Sequence, residues 1–368
     1  MPSINGALIL PDKIINGQID FQSHIEKIIE LPHTLNQYIL PGFIDCHVHG
    51  GNGYDTMDGI TAIKHMSHFH MSHGTTTLLP TTITAPWSDI IHALHSIKEV
   101  MEHKTLNGPR IHGAHLEGPF INPLKRGAQP PFCILPTPRK IQEALQTECI
   151  KIITLAPEIE HAQEAMQTFS QHGIRVSLGH TLASYEETKN AICTICSSRG
   201  TPGATHLFNA MPSLSARTPG PIPAFLCDSV SYAELIFDNH HVHHANMQLA
   251  LQTMQDRLFF VTDSMRGAGQ PDGLSTLGGQ GVFIKDGVAR LENGTLAGSV
   301  LTLDQALRNA IKKGKNLLEA AKLVSTNAAH YLGLKDRGEI KEGLLADFTI
   351  LNEKLEVCEV WINGQRKV

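Results

Sequence analysis

The chain has 368 residues, 41% of them hydrophobic and 18% charged, with a formal net charge of −5. This describes an ordinary globular protein with enough chain to enclose a large core. No basic stripe argues for nucleic acid or an anionic membrane. No stretch approaches the roughly 18 apolar residues of a membrane span, and the N-terminal segment has no basic region followed by an apolar core, so a cytoplasmic protein is expected.

Residues 1–40 contain short alternating apolar runs separated by turn residues such as Pro11-Asp12 and Asn16-Gly17, which predicts small antiparallel strands. From Gly42 the texture changes to strand-like runs separated by longer helical stretches. The runs are Phe43 to His47, Thr75 to Thr81, Ile111 to Glu117, Ile150 to Ala156, Arg175 to His180, Gly203 to Phe208, Tyr232 to Phe237 and Leu258 to Thr262. Helix-compatible segments lie between them, including Trp87 to His103, Pro138 to Gln146, Glu160 to His172, Ser184 to Cys196 and Asn246 to Gln255. Eight βα units predict an α/β fold, a TIM (β/α)8 barrel over about residues 41–335. A β-rich insertion is expected near 274–298, followed by a helical pair, Leu303 to Lys313 and Leu317 to Ala329. The segment 336–368 returns to strands and turns. Both ends share this β texture, so a small β-sandwich domain built from 1–40 and 336–368 is expected. Seven scattered cysteines fit free thiols better than a disulfide framework, and the Cys193/Cys196 pair has no second pair to complete a zinc site.

The strand ends carry the chemistry. Pro41 to Gly51 reads PGFIDCHVHGG, and alternate strand positions point the same way, so His47 and His49 can share one ion at the C-terminal end of the first strand. In a parallel barrel that end is the catalytic rim. The third strand ends in His115-Leu116-Glu117-Gly118-Pro119, the fifth in Gly179-His180, the sixth holds Thr205-His206 and the eighth ends in Thr262-Asp263-Ser264. Imidazoles and carboxylates converging on one rim suit a divalent metal, Zn²⁺ or Fe²⁺, with open positions for water and substrate.

The order PGFID-HVH, HLEGP, strand-five His, THLFNAM and TDS resembles the amidohydrolase superfamily and, within it, the N-acetylglucosamine-6-phosphate deacetylase family; the likeness spans nearly the whole chain. Many superfamily members bridge two metals with a modified lysine after strand four. Here that strand ends TLAPE, and Glu117 stands ready instead. The resemblance implies that Glu117, His180 and His206 hold the principal ion and that His47 and His49 add a second, giving one or two ions per subunit. It implies that Asp263 is the general base and acid, serving a metal-activated water and then the leaving amine. Asn209, the Ala210 backbone, Arg217 and His241 match positions that grip the sugar phosphate, in part across a homodimer. Two departures are visible. Asp238 is followed by Asn239 where the family has glycine, leaving open which of His240, His241 and His243 reaches the ligand, and Gln129 stands where some members carry histidine. The expected reaction is hydrolysis of the N-acetyl amide of N-acetylglucosamine 6-phosphate. The competing readings are an amidohydrolase for another amide or cyclic amide, and a metal-binding barrel without catalysis.

Overall fold

The computed structural model describes residues 2–32, 36–102 and 108–368. Eight parallel strands follow one another around a barrel: β1 (Phe43–Val48), β2 (Thr75–Thr82), β3 (Ala114–Glu117), β4 (Ile150–Leu155), β5 (Arg175–Leu178), β6 (Pro202–Ala204), β7 (Tyr232–Ile236) and β8 (Leu258–Val261). They are buried almost throughout, including the five threonines of β2, as fits strands covered on both faces. The main core lies between these strands and the surrounding helices and includes Ile44, Leu79, Ile153, Val176, Leu235 and Phe260, all fully buried.

The helices form where local signals place them. Tyr185–Ser197 starts at a Ser184/Glu187 capping box, which satisfies two of the unpaired donors at a helix start. Trp87–Glu102 matches its expected helix, whose last residue, His103, lies outside the described residues. The helical pair after the insertion appears as Leu303–Lys312 and a continuous run from Leu317 to Leu332, broken by a π-turn at Lys322–Thr326. There Ser325 donates to Gly42 O at 2.7 Å and Asn327 to Leu258 O at 2.7 Å, so this run closes the N-terminal end of the barrel.

The seam between β8 and β1 decides where the site lies. It is closed by single contacts past the strand ends: Asp263 N donates to His47 O at 2.8 Å, and His49 N to Ser264 O at 2.9 Å. Asp45 stitches the same seam, accepting from Thr262 Oγ1 at 2.7 Å; burial pushes its carboxyl up to about 7. Closing the barrel therefore brings the HVH pair against Asp263.

Both chain ends join one seven-stranded path, running Gln365–Arg366, Val357–Ile362, Phe348–Leu351, Tyr38–Pro41, Ser3–Ile9, Ile14–Phe21 and Ile25–Glu30. Phe21 and Phe348 lie three strands apart along it, about 14 Å in a flat sheet. Their rings nevertheless stand 5.4 Å apart, so the path curls over its own core of Leu8, Ile19, Ile39 and Ile350 in the manner of a sandwich. The insertion after β8 is a three-stranded antiparallel sheet, Gly273–Leu277, Gln280–Lys285 and Val288–Leu291, packed on Ile83 and Met265 at the barrel rim.

Candidate active site

Several expected strands end early. β5 stops at Leu178 and β6 at Ala204, before the histidines they were expected to contain. The reason is local: His180, His206 and Asp263 all adopt left-handed backbone, at φ 49°, 30° and 46°. Non-glycine residues held this way cost of order 1–3 kcal/mol each and collect at functional sites. The turn after each strand swings the side chain inward over the barrel mouth.

Two clusters result. In the first, Glu117 Oε1 lies 3.1 Å from His180 Nε2 and 3.1 Å from His206 Nε2, which are 3.0 Å from each other. In the second, His47 Nε2 and His49 Nε2 are 3.3 Å apart and stand 3.4 and 3.3 Å from Asp263 Oδ1. Glu117 faces both, because its Oε2 lies 3.1 Å from His49 Nε2. Ligand atoms about 2.0–2.1 Å from one tetrahedral ion stand ~3.3 Å apart, so both triangles have the size such an ion requires.

Tautomers support the same conclusion. His47 Nδ1 faces Glu234 Oε2 at 2.9 Å, His49 Nδ1 faces Thr81 O at 3.2 Å and His180 Nδ1 faces Lys125 O at 2.9 Å. An acceptor beside each Nδ1 keeps the proton there and leaves Nε2 bare, as metal-ligating histidines require. Three bare nitrogens and two carboxylates thus point at one another in a buried space, an arrangement that calls for a cation or for protons. Burial opposes a charge on His49, yet Asp263 and Glu117 overcome it and raise its pKa to about 9. Burial likewise opposes ionisation of Asp263, and the His47 and His49 charges hold its carboxyl down at about 2.

His49, Glu117, His180, His206 and Asp263 line an open cavity of about 190 Å³, walled on the far side by Leu277 and Leu296 of the insertion. Gln129, Asn209, Ala210 and His241 line it as well. Gln129 accepts from Thr84 N at 2.7 Å and donates to Glu117 Oε2, which fixes the orientation of that carboxylate. Of the histidines after β7, His241 lines the cavity, its Nδ1 held at 2.6 Å by Asp238 Oδ2; His240 is exposed and His243 caps the next helix. Asp238 also accepts from the His240 and His241 amides at 2.8 and 2.9 Å, so the loop is organised with Asn239 at φ 68° in the place of glycine. Arg217 is not brought to the cavity. It stands exposed on the 213–218 loop, and no lysine or arginine lines the cavity among the described residues.

Sequence reasoning missed two acids that position the others. Glu158, just after β4, accepts from Asn122 Nδ2 at 2.8 Å, Leu182 N at 2.6 Å and Thr181 Oγ1, clamping the loops that carry Lys125 and His180. Glu234 holds His47. Its signal was present in the sequence as one carboxylate inside an otherwise apolar strand, Tyr232-Ala233-Glu234-Leu235-Ile236. His115 lies beneath the site with both ring nitrogens engaged, by Cys46 O at 3.1 Å and Thr154 Oγ1 at 2.8 Å.

Residues 38–367 match the Amidohydrolase family. The chain belongs to the amidohydrolase family. It is 37% identical to an N-acetylgalactosamine-6-phosphate deacetylase of Escherichia coli O157:H7 over 89% of this chain and 87% of that protein. It is 36% identical to an N-acetylglucosamine-6-phosphate deacetylase of Lysinibacillus sphaericus, covering 96% and 91%. The fold matches the crystal structure of the Thermotoga maritima N-acetylglucosamine-6-phosphate deacetylase with a TM-score of 0.92 at 32% identity, covering 100% of this chain and 99% of that one. It matches equally, at 0.92 and 29% identity over 100% and 99%, a variant of the Mycobacterium smegmatis enzyme in complex with N-acetyl-D-glucosamine-6-phosphate. This member of the amidohydrolase family lacks any helix long and apolar enough to cross a membrane among its described residues.

Proposed function

We propose that the protein hydrolyses the N-acetyl amide of N-acetylglucosamine 6-phosphate to glucosamine 6-phosphate and acetate. The observation that carries this reading is the pair of ion-sized ligand triangles, Glu117/His180/His206 and His47/His49/Asp263, with Glu117 facing both and a cavity open above. Glu117, His180 and His206 would hold the principal divalent ion, Zn²⁺ or Fe²⁺, and His47 and His49 would add a second, leaving Asp263 as a free carboxylate beside them. A divalent ion there supplies a Lewis acid for the carbonyl and lowers the pKa of water to about 7. Asp263 takes the proton from the attacking water as the new C–O bond forms and delivers it to the amine nitrogen as the C–N bond breaks. Gln129 sits where the acetyl group would lie. Asn209, the Ala210 backbone and His241 face the phosphate end.

A phosphate dianion calls for a cation, and among the described residues no lysine or arginine lines the cavity of one subunit, so we assign Arg217 to the cavity of a partner subunit and the protein to a homodimer. Its unpaired cysteines suit the cytoplasm. The same reading divides the chain into a catalytic barrel, 41–335, with the 274–298 insertion as a cavity wall, and a small domain made of 1–40 and 336–368. Likeness to the galactosamine-type enzyme favours a second substrate, the 4-epimer N-acetylgalactosamine 6-phosphate. Neither alternative from the sequence is favoured: a structural metal needs no free carboxylate beside it, and the relatives named above are amino-sugar phosphate deacetylases.

The test is acetate release from both phosphorylated sugars and from N-acetylglucosamine. Charge-assisted contacts are worth about 1.5–3 kcal/mol each, so loss of the phosphate should lower kcat/KM by roughly 10²-fold. Equal rates with and without phosphate would refute the assignment.

A further inference from the structure

Glu234 is 1% exposed, and its neighbours Ala233 and Leu235 pack into the apolar core. A carboxylate in such a place costs several kcal/mol unless strong partners offset it. Its partners are two, and both meet the same oxygen. Oε2 accepts from His47 Nδ1 at 2.9 Å and from the backbone N–H of His206 at 3.1 Å. The first holds a ligand of one cluster in its tautomer and ring orientation. The second ties down the turn at φ 30° that aims a ligand of the other cluster. Glu234 does not serve as a ligand in a third ion site with His47 and His115, because both nitrogens of His115 are already engaged.

We propose that Glu234 is a positioning residue that sets both ion positions at once, through the imidazole of His47 and the backbone of His206. The proposal rests on the metal reading of the site, and it concerns ion binding, so it is tested without substrate. Glu234→Gln keeps an oxygen able to accept both hydrogen bonds but removes the charge that makes His47 basic. Its amide nitrogen takes the place of Oε1, which has no hydrogen-bond partner, so no existing bond is lost there. Partners of ligating histidines typically contribute 10- to 100-fold in metal affinity. Glu234→Gln should therefore weaken binding about tenfold and Glu234→Leu about 100-fold.

The experiment is cobalt(II) titration of the chelator-treated full-length protein, followed by calorimetry and by the visible absorption of the bound ion. Thr154→Val is the control. It breaks equally buried bonds, Thr154 Oγ1 to His115 Nε2 at 2.8 Å and to Thr205 Oγ1 at 2.7 Å, neither of which ends on a proposed ligand, and it should lower the melting temperature while leaving cobalt affinity and spectrum unchanged. The expected result is weaker cobalt binding and an altered spectrum in both Glu234 variants and not in Thr154→Val; where the wild type takes a single ion, the same loss is expected through His206. Wild-type affinity in Glu234→Gln, or an equal loss in Thr154→Val, would overturn the proposal while leaving the metal site intact. A wild-type protein that binds no cobalt, zinc or iron would overturn both.

Discussion

Replacing Glu117 by glutamine removes one charge and should leave the fold intact, for a reason that can be followed atom by atom. Gln129 cannot turn over, because its oxygen is fixed by Thr84 N at 2.7 Å, so its amide nitrogen always faces position 117. The new glutamine must therefore turn its oxygen toward Gln129 and its own NH₂ toward His180 and His206, whose Nε2 atoms lie 3.1 Å from the present Oε1. There it donates to nitrogens that would otherwise bind the ion. Gln129, His180 and His206 each keep a hydrogen-bond partner at position 117, so stability is expected to stay within about 1 kcal/mol of wild type. The ion is a different matter. A unit charge pair at 4 Å is worth about 4 kcal/mol at an effective dielectric of 20, and a carboxylate directly on a divalent ion gains at least that. Affinity should fall by at least about 10³-fold. Elemental analysis after gel filtration, paired with a thermal melt, reads both quantities. Wild-type metal content in a folded Glu117→Gln protein would refute the assignment of Glu117 as the shared ligand.

Asp263→Asn should retain the principal ion and lower turnover by about 10²- to 10⁴-fold, the usual range for a lost acid and base group; steady-state kinetics near wild type would move the proton transfer elsewhere. A second test concerns acid stability and lies away from the site. Asp304 is paired with Arg308 at 2.8 Å and His73 at 3.2 Å; burial opposes its ionisation, and these partners outweigh it, holding the carboxyl at about 2 against an ordinary 3.8. Because the folded pKa is depressed, this stabilisation is complete above about pH 4 and is lost as pH falls toward 2. At about 1.36 kcal/mol per pKa unit it amounts to ~2 kcal/mol. Urea unfolding at pH 7 and at pH 2 should show Asp304→Asn less stable by about that amount at pH 7 and nearly equal to wild type at pH 2. An unchanged difference between the two pH values would refute it.

The sequence alone determined the barrel, the β-rich insertion and the sheet made from both ends, because strand and helix periods and turn residues are local signals that need no partner to be read. It also marked His47, His49, Glu117, His180, His206 and Asp263, since ligand types repeating at strand ends follow directly from the βα alternation. Tertiary structure alone decided the rest. Glu234 and His47 are 187 residues apart in sequence, and only barrel closure shows that one acid orients the other's ring. Among the histidines after β7, the grip of Asp238 turns His241 to the cavity, a choice made by hydrogen bonds within a loop rather than by any pattern. Arg217, placed in the site by motif, stands on an exposed loop, because six residues of irregular backbone beyond Met211 carry no periodicity to fix a direction. The strand ends themselves were misjudged for a physical reason: left-handed turns at His180 and His206 end the strands where these candidate ligands face inward, and no alternation of side chains records the sign of a backbone torsion.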